Sequence, residues 1–485
     1  MSYLFENLKP ELLWKYFYEI LQVPRPSKKE EKIIEYLVDF AESQKLDYQQ
    51  DKIGNVVIRK PATKGYEHFP IVVLQSHMDM VCEKNSDVEH DFETDPIIPR
   101  IEDGWVKASG TTLGGDDGIG VATQLAILAS DDIEHGPLEM LFTVDEETGL
   151  TGAKELDKDM IKGRILLNLD SEDEGELFIG CAGGRDTRAF LDYKHEDIDK
   201  DKYKAYNINV SGLIGGHSGD DINKNRGNAV KILVRLLWLF QEKFGMRLST
   251  FEGGNLRNAI AREASAKIAI PVSKKAKFLK FFDEYSAQIL AEFSLNEPDL
   301  KITCLVDNKV GKVISKKQQK RLINSVYACP HGVIAMSASI PNFVETSTNL
   351  ASVKMHKKYF EIGTSQRSSV ESSKEYVVNM VESLFDLAGC EVVHDDGYPG
   401  WTPNPDSHVM EVTKQAYIRL FGKEPKVLAI HAGLECGLIG EKFPGMDMIS
   451  FGPTIKGAHS PDERLEIETV EMFWDLTLEV LRTIA

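Results

Sequence analysis

The chain has 485 residues, 42% of them hydrophobic, with a formal net charge of -19 at pH 7. That length exceeds one compact core, so two or three domains are expected. The acidic surplus argues against a nucleic-acid partner, and six cysteines scattered without CxxC spacing indicate neither a disulfide framework nor a thiolate zinc site.

Met1–Pro10 carries no charged segment followed by an apolar core, and no apolar run reaches the about 18 residues of a membrane span. No membrane partner is expected, and the expected compartment is the cytoplasm. Residues 11–22 read as an amphipathic helix ended by Val23-Pro-Arg-Pro26. Ser27 with Glu30 forms a capping-box pattern for a second helix to about Glu42. Short apolar runs follow at Val56–Ile58, Ile71–Leu74, Leu138–Val144 and Ile165–Leu169, with a helical stretch at Gly118–Ala129. This alternation predicts an α/β domain: a mixed, largely parallel sheet with helices on both faces.

From about 186 the texture changes to charged, alternating segments with Lys-rich helices at Ser273–Phe282 and Lys316–Val326. It changes back near 398, with a helix at Ser407–Phe421 and apolar runs at Lys426–Ile430 and Met446–Phe451. The expected organisation is a discontinuous catalytic domain, residues 1–185 and 398–485, with an α/β domain inserted at 186–397. Tyr206–Gly212 with Gly227-Asn-Ala downstream is loosely echoed by Val333–Ser339 with Thr348-Asn-Leu downstream. The echo fits two related halves of the insertion as well as it fits coincidence.

Glu146 and Glu147 sit where Leu138–Val144 gives way to Asp145. Such a pair is most often a solvated turn. At a strand end, however, neighbouring side chains point to opposite faces and can do different jobs. His77-Met-Asp79 follows the run Ile71–Leu74, so that an imidazole can bind a metal while Asp79 accepts its other N–H. In Leu113-Gly-Gly-Asp-Asp-Gly118, Asp116 projects from a glycine turn ahead of a helix, and a plain turn or cap is the alternative. Asp170 closes Ile165–Leu169, and His459 follows the run that ends at Phe451.

In an open α/β sheet such strand ends share one rim, which brings His77, Asp116, Glu147, Asp170 and His459 together. Nitrogen and oxygen ligands without sulfur suit two divalent ions, zinc foremost with cobalt or manganese as alternatives. Two ions about 3.5–4 Å apart, bridged by one carboxylate and each completed by a His and a carboxylate, need that number of side chains. Glu146 is left over as a general base for a metal-bound water, able to pass the proton to a leaving amine. The chemistry expected is amide hydrolysis.

These motifs resemble those of the M20 family of co-catalytic metallopeptidases, and within it the aminoacyl-histidine dipeptidase branch, also called cytosol non-specific dipeptidases. The resemblance runs in order from Val23-Pro-Arg-Pro-Ser27 to the segment around His459. It implies that His77 of SHMD and Asp170 of NLD hold one ion, that Glu147 and His459 hold the other, and that Asp116 of GGDDG bridges them. It further implies that Asp79 orients His77, that Glu146 is the catalytic base, and that the Asp116–Asp117 peptide is cis. The inserted domain resembles the family's lid. There the resemblance makes His217 of Gly215-Gly-His-Ser-Gly219 an oxyanion stabiliser, places Asn258 of Gly253–Ile260 near the substrate, and makes Arg367 of Thr364–Ser369 a carboxylate clamp. His431 of His431-Ala-Gly-Leu-Glu435 lines the same cleft.

The implied activity is hydrolysis of unblocked dipeptides, including Xaa-His; an amidohydrolase of the same fold acting on N-acyl amino acids is the alternative. Many family members have a lid about half this length and complete the site with a partner subunit's lid histidine. Here the insertion is long enough to mimic that partner within one chain. A homodimer through the lid, and His217 acting in its own site or a neighbour's, both stay open.

Overall fold

The computed structural model describes residues 4–485 except 220, 308, 310 and 339. It divides into two compact units, Met1–Cys181 with Trp401–Ala429 and Leu434–Ala485, and Ala182–Gly400 with Ile430–Gly433. Residues 430–433 thus group with the inserted unit, whereas the sequence reading kept 398–485 together. Among the described residues, no helix is long and apolar enough to cross a membrane.

In the first unit an eight-stranded sheet runs in the order Asp47–Gln50, Val56–Lys60, Leu138–Thr143, Val72–His77, Ile165–Asn168, Asp447–Ser450, Glu176–Cys181, Lys426–Ile430. The four central strands, from Leu138–Thr143 to Asp447–Ser450, are parallel, and the outer pairs Asp47–Gln50/Val56–Lys60 and Asp447–Ser450/Glu176–Cys181 are antiparallel. Every residue of Val72–His77 and of Leu138–Thr143 is buried. Alternate side chains point to opposite faces, so both faces of the sheet are covered, as apolar parallel strands require. The register sets His77 opposite Thr143, Gln75 opposite Asn168, and Ser450 opposite Asn168. The carboxyl ends of these four strands therefore form one rim.

The helix Gly115–Ala129 is buried from Gly115 to Leu128, which its Gly- and Ala-rich sequence permits. Asp116 and Asp117 are non-helical within it, so the regular helix begins near Gly118. A separate four-stranded sheet orders Ile455–Lys456, Arg464–Glu466, Trp105–Ala108 and Pro99–Glu102. It ties the segment ahead of the glycine turn to the loop that carries His459.

The capping box expected at Ser27 and Glu30 does not form. The second helix, Glu31–Gln44, has no side-chain cap. Ser27 Oγ instead donates to Asp79 Oδ2 at 2.7 Å, and Glu30 Oε1 accepts the N–H groups of Lys28 and Asp145 at 2.9 and 3.0 Å. Long-range acceptors have displaced the local motif.

The second unit is built on an antiparallel sheet in two parts. Tyr203–Ser211, helix Ala229–Phe244, Arg247–Gly253, Ala264–Pro271, helix Lys275–Phe293 and Lys301–Asp307 make a β-α-β-β-α-β unit with strand order 4-1-3-2, the ferredoxin-like pattern. Gly183–Asp192, helix Lys316–Ala328, Val344–Met355, Tyr359–Ser368, helix Glu371–Ala388 and Glu391–His394 repeat that order. The two parts meet edge to edge through the pair Gly253↔Val353. Tyr206, Ile208 and Val210 pack into a core with helix residues such as Phe240 and Phe278, while Asn207 and Asn209 between them are less buried on the other sheet face.

Two related halves are therefore present in topology, but the sequence echo paired the wrong segments. Tyr203–Ser211 is the first strand of its half, and its counterpart is Gly183–Asp192. The strand Gly332–Met336 is an extra partner of Val344–Met355, and Ser339 of the echo lies outside the described residues.

Candidate active site

The rim of the first unit gathers seven side chains singled out in the sequence. His77 is 1% exposed, and its Nε2 lies 3.0 Å from Asp116 Oδ1 and 3.5 Å from Asp170 Oδ1, with Nδ1 3.3 Å from Asp79 Oδ1. The other oxygen of Asp116, Oδ2, is 3.2 Å from His459 Nε2, which is 3.0 Å from Glu147 Oε2. Asp116 thus offers one oxygen to each of two imidazoles. Glu146 joins His77 and Glu147 in a group whose ligand atoms lie within 4.8 Å of one another. The sets His77/Asp116/Asp170 and Asp116/Glu147/His459 meet the same limit. The Asp116–Asp117 peptide is cis.

The glutamates stand on a helical turn, Glu146–Gly149, and not on a strand end as expected. The strand stops at Thr143, and Asp145 turns the chain at φ 50°, where its carboxylate accepts hydrogen bonds from the Thr148 and Thr151 hydroxyls. Glu146 and Glu147 are separated by this turn, so strand alternation is not the cause. Asp79, fully buried, accepts from the backbone N–H groups of Glu146 and Glu147 at 3.1 and 3.3 Å.

Charge is crowded here. Burial alone would push Asp116 up, but hydrogen bonds to His459 and His77 hold it below the usual carboxylate range. Hydrogen bonds to Asp116 and Glu147 raise His459 to about 11. Burial opposes a charge on His77, yet Asp170, Asp116 and Asp79 hold it well above its ordinary value. Burial pushes Asp170 up to about 7 and Glu172 up to about 8, and drives Glu146 well above the usual range. Burial comes first among the causes, with neighbouring carboxylates adding to it, and a cation bound among these groups would favour their charged forms.

Several residues that hold this arrangement have no role legible in the sequence, although Arg25 and Glu435 lie within the motifs quoted above. Glu463 and Arg25, both 2% exposed, grip the turn that carries Asp116. Glu435, fully buried, accepts from Gln75 Nε2 and Thr143 Oγ1, each at 2.6 Å, beneath the rim, and burial raises it to about 7. Such acceptors are set by tertiary contacts hundreds of residues apart, which no local pattern reports.

The second unit brings its own predicted residues together. His217 N donates to Asp221 Oδ2 at 2.8 Å, and Ser218 N donates to the carbonyl of Asn258 at 2.8 Å. Asn349, 1% exposed, pins the segment around Asn258 through the carbonyls of Arg257 and Ala259 at 3.2 and 2.9 Å. His431 Nε2 lies 2.7 Å from Ser347 Oγ, and Arg367 Nη1 donates to the His431 carbonyl at 3.4 Å. Ser347 and Arg367 face each other across adjacent strands.

The chain is 44% identical over 481 residues to a cytosol non-specific dipeptidase of Escherichia coli (strain K12), covering 99% of this chain and 98% of that one. The crystal structure of an aminoacylhistidine dipeptidase from Vibrio alginolyticus superimposes with a TM-score of 0.94 at 43% identity, covering 100% of this chain and 99% of that chain. The aminopeptidase PepT from Bacillus cereus ATCC 10987, 18% identical with a TM-score of 0.58 over 98% of this chain and 99% of that chain, shares the fold. Residues 73–483 match the family described as Peptidase family M20/M25/M40. With that match over most of its length and a full-length relative at 44% identity, the chain belongs to peptidase family M20/M25/M40.

Proposed function

We propose that the protein is a cytoplasmic, dinuclear metal-dependent dipeptidase that hydrolyses unblocked dipeptides, Xaa-His among them. The observation that carries this reading is Asp116, whose two oxygens face His77 and His459 at 3.0 and 3.2 Å. The donor set fits two divalent cations: nitrogen and oxygen donors without sulfur, a surplus of carboxylates over imidazoles, and a buried Glu147 Oε1 with no hydrogen-bond partner among the described residues. His77 and Asp170 would hold one ion, Glu147 and His459 the other, with Asp116 shared; zinc suits the set, as do cobalt and manganese. The full-length relatives named as dipeptidases support the substrate class.

When bound, the two ions supply Lewis-acid polarisation of the scissile carbonyl and of the attacking water. Glu146 accepts a proton from that water as its oxygen adds to the carbonyl carbon, then delivers the proton to the amine nitrogen as the C–N bond breaks. Asp79 fixes the orientation of His77 and the backbone of the turn bearing Glu146. In the second unit, read as the lid, His217 stabilises the oxyanion and Arg367 pairs with the terminal carboxylate, with Asn258 and His431 flanking the substrate. These lid roles rest on the family resemblance.

The test is hydrolysis of a panel of dipeptides and N-acyl amino acids after chelation and again after add-back of zinc, cobalt or manganese. Activity that vanishes on chelation, returns with metal and favours free dipeptides supports the reading. Preference for N-acyl amino acids, or activity indifferent to chelation, contradicts it.

A further inference from the structure

The turn that presents Asp116 is held from two sides. Glu463 Oε2 accepts the N–H groups of Leu113 and Gly114 at 2.7 and 3.0 Å, and Oε1 accepts those of Gly115 and Asp116 at 2.7 and 3.3 Å. From the other side Arg25 donates to the carbonyl of Gly114, and also to those of Met78 and Asp79 at 3.2 and 2.6 Å. Gly114 therefore gives its N–H to a buried carboxylate and its carbonyl to a buried guanidinium. The fit is tight: a Cβ on Gly114 would come 2.5 Å from Arg25 Nη2 and displace that guanidinium, and one on Gly115 would come 3.3 Å from Glu463 Oε1.

Glu463 also ends the loop that carries His459. That loop is anchored on both flanks, with Lys456 paired to Arg464 and Arg464 paired to Lys107 on the strand ahead of the glycine turn. Both ends of the 3.2 Å approach between Asp116 and His459 are thus joined through one carboxylate. His77 and Asp170 have a different support, since they sit at or just beyond the ends of adjacent parallel strands in register.

We infer that Glu463 is a positioning residue: opposed by Arg25, its carboxylate couples the Asp116 turn to the His459 loop and sets the spacing of the ligands for the ion held by Asp116, Glu147 and His459. This inference rests on the dinuclear reading above. Hydrogen bonds from backbone N–H groups to a carboxylate are charge-assisted, so a neutral isostere weakens all of them and turns an amide N–H toward donors. Loss of outer supports of this kind lowers metal affinity about 10–100-fold. The loss falls chiefly on the ion held by Asp116, Glu147 and His459, because two of its three donors are tied to Glu463, whereas of the other ion's donors only the shared Asp116 is.

The test is calorimetric titration of the metal-free full chain with zinc or cobalt, for wild type, Glu463→Gln, Glu463→Asp and Glu139→Gln. Glu139 is the control. It is also 2% exposed and accepts two backbone N–H groups, those of Lys162 and Gly163 at 2.8 and 2.9 Å, but lies outside the ligand set. Wild type should bind two ions. Glu463→Gln should bind one ion about 10–100-fold less tightly, with a smaller loss for the other through the shared Asp116, and Glu463→Asp should be intermediate; an equal loss for both ions contradicts the inference. Glu139→Gln should lower the melting temperature and leave both affinities as in wild type. Wild-type binding by Glu463→Gln, or an equal loss in Glu139→Gln, overturns the inference. If Glu463→Gln does not fold, Glu463→Asp decides: a selective loss supports the clamp and wild-type binding overturns it. Fewer than two ions on wild type is a separate result that removes the dinuclear reading itself, and the inference with it.

Discussion

Asp79 Oδ1 accepts the backbone N–H of Glu146 at 3.1 Å while standing 3.3 Å from His77 Nδ1. One buried carboxylate thus lies beside a proposed ligand and holds the turn that bears the proposed base. Asp79→Asn keeps the volume but removes the charge, and directs an amide N–H at either His77 or the Glu146 turn. Metal affinity should fall about 10–100-fold, with kcat falling even at saturating metal. Metal titration combined with steady-state kinetics checks this; a variant with wild-type kcat once metal is saturating would leave Asp79 no part in placing Glu146.

The segments carrying Asp170 and His459 run so close that a side chain cannot enter between them. A Cβ on Gly452 would sit 1.8 Å from the Ser171 carbonyl oxygen, a backbone atom that cannot swing aside. Gly452→Ala should therefore destabilise the protein by about 1–3 kcal/mol and weaken metal binding. Urea unfolding measures the first effect; an unchanged midpoint contradicts the packing described.

His331 offers a pH dependence away from the rim. Its Nδ1 accepts the N–H of Leu350 at 3.3 Å, and burial, with Lys231 adding repulsion, lowers it from 6.5 to about 4. The folded-state value is depressed, so the unfolded chain takes up the proton first as pH falls. The stabilising contribution is complete above about 6.5 and is lost between there and about 4. Wild type should lose stability across that window more steeply than His331→Gln, measured as melting temperature against pH. Parallel curves would mean that His331 does not titrate in this way.

Much of the first unit was legible because its central strands are buried on both faces and read as short apolar runs, each ending close to a polar residue of the rim. His77, Asp170 and His459 could be found from that pattern. The strand Glu176–Cys181 was missed, since Gly180 and Cys181 blur an otherwise apolar run. Ser27 and Glu30 were misread because a capping box is a local pattern, and here Asp79 and the Asp145 N–H compete for the same groups. Arg25, inside Val23-Pro-Arg-Pro-Ser27, and Glu463, shortly after His459, show no role in the sequence for the same reason in reverse. Their partners lie 89 and up to 350 residues away, and no local pattern names those partners.

The neighbouring glutamates separate the roles most cleanly. Bound metal and turnover should be measured together on Glu146→Ala and Glu147→Ala. Glu146→Ala is expected to retain two ions per chain and lose turnover by about 100-fold or more, while Glu147→Ala is expected to lose one ion. A Glu146→Ala variant as active as wild type, or a Glu147→Ala variant that keeps both ions, would contradict the assignment of base and ligand.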